Sequence, residues 1–311
     1  MPRDIEAVLA SQADEYAVHR QLHDVPPHAV YEVTVDGRRA VCKLARGPEA
    51  DPATDAAVLA YVGRETSVPV PAVLASGEEF FLAEFCERAP ESGTAHEYEA
   101  PTLTADLART LGEGLATLHA ETPFERTGVP RADGGLAVDS HGTWADTLAA
   151  QLDAWRETLA EYGRADAARE VRAFVREHAA LFEGAGRPAL THNWYTPEHV
   201  GVDDGEVACV VDWEHALVAP GEFEVARTAL VLFERTTEAG AEAAFREAYE
   251  SVHPIPEGFD VRRRAYRAVH LVYFLVSGWV QARRPPAERE RLSERFEDEI
   301  RETLAGLRAE L

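Results

Sequence analysis

Apolar residues recur along this 311-residue chain at two different spacings, and the changes of spacing divide it. Residues 2–22 carry Ile5, Val8, Leu9 and Tyr16 at roughly helical intervals, which predicts a helix. The period then drops to two: Tyr31, Val33 and Val35 alternate with Glu32 and Thr34, Asp36-Gly37 forms a turn signal, and residues 39–44 run back. Residues 50–65 return to a helical pattern through Ala57, Val58, Leu59 and Val62. Two short strands follow at 72–75 and 80–85, with Ser76-Gly77 between them. Strand, strand, helix, strand, strand predicts a small antiparallel sheet with one helix.

The pattern breaks after residue 86, where Pro90, Ser92, Gly93 and Pro101 punctuate a polar stretch. Residues 88–101 therefore read as a linker between an N-terminal unit, 1–87, and a C-terminal unit, 102–311. The second unit is mostly helical. Leu107, Leu111, Leu115 and Leu118 line one helix face ending near His119, and 144–161 and 165–182 form two more helices. The helical reading fails at 188–213. A loop over 190–198 leads into a hairpin, 200–202 and 207–211, around Asp203-Asp204-Gly205, and the chain is helical from there to its end, including 266–280. Irregular backbone set into a helical unit usually carries a site.

Composition narrows the function classes. Hydrophobic residues make up 46% of the chain, enough for a folded core. No apolar run approaches the length of a membrane span. The charged N-terminus lacks an apolar signal core, so a cytoplasmic location is expected. A net charge of −24 argues against nucleic acid as a partner and leaves a small molecule as the expected one. The sequence leaves the oligomeric state open. Of 31 basic residues, 30 are arginine and one is lysine. That balance resembles halophilic proteins, and GC-rich codon usage explains it equally well. Cys42, Cys86 and Cys209 form no C-x-x-C pair and lie in apolar segments, so reduced, buried thiols are expected.

The one lysine is Lys43, in the second strand of the first hairpin. Alternation places Val41 and Lys43 on one face and Ala40, Cys42 and Leu44 on the other. A lysine beside a small apolar residue on a sheet can set a compact ammonium over phosphates, which the planar fork of arginine cannot imitate. Asp212 ends the apolar strand 207–211, where a carboxylate is held rigidly at a cleft edge and can bind a divalent cation. His192, His199 and His215 with Asp212 offer a second possibility, a transition-metal site, although their spacing fits no tight metal motif.

The run Leu190-Thr-His-Asn-Trp-Tyr-Thr-Pro-Glu-His-Val200, a hairpin, then Val211-Asp212-Trp213-Glu214, resembles the signature of aminoglycoside phosphotransferases and their choline-kinase-like relatives. That family carries His-x-Asp-x-x-Pro-x-Asn followed by an apolar strand and an Ile-Asp-Trp-Glu-type metal site. Val68-Pro69-Val70-Pro71 resembles the family's Val-Pro-x-Pro segment, and Leu115-Ala116-Thr117-Leu118-His119 its Leu-Ala-x-Leu-His helix. Residues 219–226 stand where the family has Gly-Asp-Pro-x-x-Asp-Leu-Ala.

The resemblance implies an α+β, protein-kinase-like fold of two lobes, a small antiparallel-sheet N-lobe and a mainly helical C-lobe. It implies ATP and Mg²⁺ as cofactors. Lys43 would contact the phosphates, with Asp55 standing where the family has a glutamate that pairs with the lysine. Residues near Glu84–Cys86 would meet the adenine. Asp212 would bind the metal, and His192 would order the catalytic loop. Three positions depart from the family. Trp194 replaces the catalytic aspartate and has no acceptor for a proton. His199 replaces the second metal-binding asparagine. The turn that should cover the nucleotide, near Asp24-Val25-Pro26-Pro27-His28, has no glycine. Glu198 is the carboxylate closest along the chain that could act as base. Two functions follow: phosphoryl transfer from ATP to a small-molecule hydroxyl, or a pseudokinase that binds nucleotide without turnover. Glu214, Glu222 and Glu224 could face a cationic substrate, but solvation and scaffold roles suit them better.

Overall fold

In a computed structural model of the chain, residues 4–47, 49–90, 103–234 and 239–311 are described. A short helix, α1 (Ile5–Gln12), is capped by Asp4, whose side chain accepts from Glu6 N. The strands β1 (Tyr16–Val25), β2 (His28–Val35) and β3 (Arg38–Ala45) follow, then α2 (Pro52–Glu65), β4 (Val73–Gly77) and β5 (Phe80–Glu84). They form a five-stranded sheet of order β1-β2-β3-β5-β4, antiparallel at every pair.

Two expectations change here. Residues 2–22 are not one helix: the helix stops at Gln12 and the chain enters the outer strand of the sheet. β1 is largely exposed on both faces, so it shows no alternation, and sheet pairing to β2 overrides the local pattern. The second hairpin turns at Glu78-Glu79, because Gly77 still pairs with Phe80.

Strand alternation splits the sheet's faces. Ala40, Cys42, Leu44, Val33, Phe80 and Leu82 pack with Val8 and Leu9 of α1 into one apolar cluster. Phe81 and Ala83 point the other way, joining Val58, Leu59 and Val62 of α2 and the large core that continues into the helices beyond. Lys43 lies on this second face, opposite Val30 and Phe81.

The C-terminal part contains α3 (Ala105–Glu121), the hairpin β6 (Val129–Ala132) and β7 (Leu136–Asp139), α4 (Trp144–Ala160) and α5 (Ala165–Glu177). Next come β8 (Pro188–Thr191), β9 (Val200–Asp203), β10 (Glu206–Val210) and β11 (Leu217–Pro220). Helix α6 (Gly221–Thr228) runs into a π-turn (Ala229–Phe233), before α7 (Ala241–Val252), α8 (Phe259–Val280) and α9 (Pro286–Glu310). The expected hairpin is β9–β10. The β6–β7 hairpin and the β8–β11 pair lie where helix or loop was expected. Four-residue strands are too short to leave a clear periodic trace, and β8 is closed by a partner 26 or more residues away. Most of the expected linker, residues 91–101, lies outside the described residues.

Candidate functional site

β8 and β11 hold the site's two loops. The first runs from His192 to His199 between β8 and β9, and the second from Val211 to Ala216 between β10 and β11. Thr191 pairs with Leu217, so both loops leave the same point of the ladder. Asn193 fastens them together: Nδ2 donates to Thr191 Oγ1 at 2.9 Å and to the His215 carbonyl at 3.0 Å. Its φ of 61° and the 68° of Asp212 are left-handed conformations, tolerated best by Asn, Asp and Gly.

His192 is fully buried. Its Nε2 donates to the Val211 carbonyl at 2.9 Å, and its Nδ1 accepts from Trp194 N at 3.1 Å. Burial lowers its pKa to about 4, in keeping with a neutral ring that accepts at one nitrogen and donates at the other. Both nitrogens are occupied, so the ring orders the loop and has no lone pair for a metal.

Underneath lies Glu224 of α6, fully buried. Its carboxylate accepts from His192 N at 2.8 Å, from Asn193 N at 2.5 Å and from His119 Nε2 at 3.0 Å. The Tyr249 hydroxyl reaches the other nitrogen of His119 at 2.7 Å. Glu222, also buried, is held by Arg262 through Nε at 2.6 Å and Nη2 at 2.8 Å, and by the Tyr266 hydroxyl at 2.7 Å. Neither carboxylate faces solvent, and both serve as internal supports. Glu224 could have been found from its place in the family-like segment at 219–226.

Across the cleft, Lys43 is 5% exposed. Its Nζ lies 2.7 Å from Asp55 Oδ2, from Asp212 Oδ1 and from Glu214 Oε2. Asp55 sits in the first turn of α2, which Asp51 caps by accepting from Thr54 N. Burial works against the lysine's charge, but Asp212, Asp55 and Glu214 outweigh it and hold its pKa well above the ordinary value. Asp212 is held well below the carboxylate range despite burial, by Lys43 and by His199, whose Nε2 is 3.3 Å from Asp212 Oδ2. Burial opposes charge on His199, yet its bond to Asp212 raises its pKa. His28, the first residue of β2, places Nδ1 2.7 Å from Glu214 Oε2.

Three carboxylates face one ammonium here, and burial, with Asp212 and Glu214 nearby, pushes the pKa of Asp55 up even though Lys43 pulls it down. Oxygens of Asp55, Asp212 and Glu214 all lie within 4.8 Å of one another. This is a hard, oxygen-rich donor set that suits Mg²⁺ better than a histidine cluster would. Sequence reasoning had passed over Glu214 as a ligand, because its neighbour Trp213 is buried and nothing local says where residue 214 points.

The remaining expected residues fall as follows. Val41 is half-buried beside Lys43 on the sheet. Glu84 ends β5 with its side chain in solvent, and its backbone N donates to Ala72 O at 2.9 Å. Glu198 is exposed and is not brought into hydrogen-bonding contact with the Lys43 cluster among the described residues. The β1–β2 turn lies at Pro26-Pro27, between Val25 and His28. Trp194 is half-buried, with its ring 6.2 Å from His215, 6.1 Å from Tyr273 and 6.0 Å from Phe274.

The fold and these loops have counterparts among known proteins. A protein from Haemophilus somnus 129PT, provisionally named a fructosamine-3-kinase, superposes with a TM-score of 0.66 at 17% identity, covering 96% of both chains. A thermostable aminoglycoside phosphotransferase APH(4)-Ia, crystallised with ADP and hygromycin B, gives 0.65 at 18% identity, covering 96% of this chain and 98% of that one. Macrolide 2'-phosphotransferase MphH from Brachybacterium faecium gives 0.58 at 18% identity, covering 93% and 96%. No curated protein matches the sequence. These likenesses show the protein-kinase-like fold. The model of the phosphotransferase enzyme family (APH) matches residues 27–265, spanning β2 to β5, the Lys43 cluster and both loops, and the chain belongs to that family.

Proposed function

We propose that this protein transfers the γ-phosphoryl group of ATP to a hydroxyl of a small molecule. The observation that carries the reading is the Lys43 ammonium, buried between the lobes within 2.7 Å of Asp55, Asp212 and Glu214. The lobes that this reading uses are 1–87 and 102–311, joined through 88–101, with Glu84–Cys86 meeting the adenine.

Asp212 and Glu214 would hold Mg²⁺, Glu214 giving the oxygen that His199 does not. When bound, the metal supplies charge neutralisation at the transferring phosphoryl group. Lys43, released from part of its carboxylate cage, is placed to neutralise phosphate oxygens, and Asp55 keeps it there. His192 and Glu224 hold the backbone of the acceptor loop. His28 adds a nitrogen at the turn where the family has glycines, which suits a turn whose prolines have no N–H to offer. Positioning and electrostatics provide most of the rate in this chemistry, and a general base contributes on the order of 10²–10⁴. Trp194 therefore predicts slow turnover with intact nucleotide binding.

Thermal shift with Mg·ATP tests the reading. Stabilisation should approach about 2.7 kcal/mol when ATP is at 100 times its Kd, and should vanish in Lys43→Ala and Asp212→Ala. No shift in the native protein would sink it. Trp194 itself favours a second reading, a pseudokinase. Comparing phosphotransfer in the native protein and Trp194→Asp decides between them: measurable native turnover supports the enzyme, and turnover only in the variant supports the pseudokinase.

A further inference from the structure

Arg227 holds a charge that its neighbours do not answer. It projects from α6 one turn after Glu224 and is 4% exposed. Its guanidinium carbon lies 4.0 Å from the ring centre of Tyr273, 4.8 Å from Trp194 and 5.5 Å from Phe274. Nε and Nη2 are buried and meet no acceptor among the described residues. Glu224 is committed to the loop amides and His119. The Tyr273 hydroxyl lies alongside the guanidinium and also bonds His215 Nε2 at 2.9 Å. His215 Nε2 is in turn 3.4 Å from Glu214, a partner of Lys43. Arg227 thus stands a few side chains from the Lys43 cluster, beside the position where Trp194 replaces the loop aspartate.

Two features define what this cluster of side chains would accept. Aromatic rings gathered round a cation are how proteins hold ammonium groups. Here the rings already hold the protein's own guanidinium, so a cationic acceptor would find the cage filled and meet a like charge. The second feature is the free edge. Arg262 uses Nε and Nη2 together to grip both oxygens of Glu222, at 2.6 and 2.8 Å. Arg227 presents the same two donors with no acceptor opposite them among the described residues. Desolvated donors without partners are costly, and this edge matches a carboxylate's two oxygens. Trp194, Phe274 and His215 are only partly buried, so the cluster borders solvent on their side.

We propose that the phosphoryl acceptor is a hydroxylated carboxylate, whose carboxylate docks on Nε and Nη2 of Arg227 while a hydroxyl faces the Lys43 cluster. The proposal rests on the phosphotransferase reading above and adds the acceptor's class to it.

Binding of D-gluconate, sorbitol and choline to the full chain, with and without Mg·AMP-PNP, tests it by calorimetry. Gluconate should bind more tightly than the neutral or cationic probe. Arg227→Met should weaken gluconate about thirtyfold or more, the usual scale for removing one side of a buried charged pair. Arg227→Lys, which keeps the charge but loses the fork, should fall between the two. Gluconate no better than sorbitol, or choline preferred, in the native protein would overturn the proposal without recourse to any variant. Failure of the phosphotransferase reading looks different: no binding of Mg·AMP-PNP, with the gluconate preference still measurable alone.

Discussion

Lys43 is gripped by three carboxylates at once, and that crowding is where residue identity meets function. Its strand and its status as the one lysine were legible in the sequence. Its three partners come from α2 and from two positions beyond β10, separated from it by as much as 171 residues. Glu214 and Arg227 were not legible, because their meaning depends on what lies opposite them. Glu224 tests the support under the loop. Glu224→Gln turns one accepting oxygen into a donor facing the amides of His192 and Asn193. It should cost about 2–4 kcal/mol in urea unfolding and reduce nucleotide stabilisation as well, since the loop would lose its seat. An effect below about 0.5 kcal/mol would show that the loop holds itself.

Elements were read well where they were long and amphipathic, such as α3 and α4, both capped by threonines that accept from backbone N–H groups. They were read poorly where pairing partners are remote, as for β8 and β11, and where a strand is exposed on both faces, as for β1. The hairpin β9–β10 matters at this scale because the segment after β5 lies against it. A Cβ on Gly201 would stand 1.8 Å from Arg88 O, while Arg88 Nε pairs with Asp203 at 2.8 Å. Gly201→Ala must push that segment off the hairpin. A loss of about 1–3 kcal/mol is expected, together with weaker binding of Mg·ATP. Unchanged stability and affinity in this variant would mean that the contact is not needed.

Across the whole molecule, charge and buried histidines set the response to solvent. With a net charge of −24, self-repulsion opposes folding, so the melting temperature should rise as KCl goes from 0.05 to about 1 M through screening. A flat or falling curve would refute this. Acid should act in the opposite direction. Burial holds His192, His215 and His253 down to about 4, against an ordinary 6.5. Below pH 6.5 the unfolded chain takes up protons that the folded chain refuses, so stability falls from pH 6.5 to pH 4 and this contribution is flat above pH 7. His192 alone contributes about 3 kcal/mol over that window. Denaturant midpoints at pH 8, 7, 6 and 5 measure it.

The sequence by itself determined the family, the two-lobed architecture, the strand carrying Lys43 and the loop pair around His192 and Asp212. Those features are local: alternation, turn chemistry and residues at fixed spacing. Only the tertiary structure decided that Glu214 joins the carboxylates around Lys43, that Glu198 stays in solvent, and that Trp194 lies beside an arginine whose Nε and Nη2 meet no acceptor among the described residues. Each depends on the distance between side chains from separate elements, and spacing along the chain does not encode that distance.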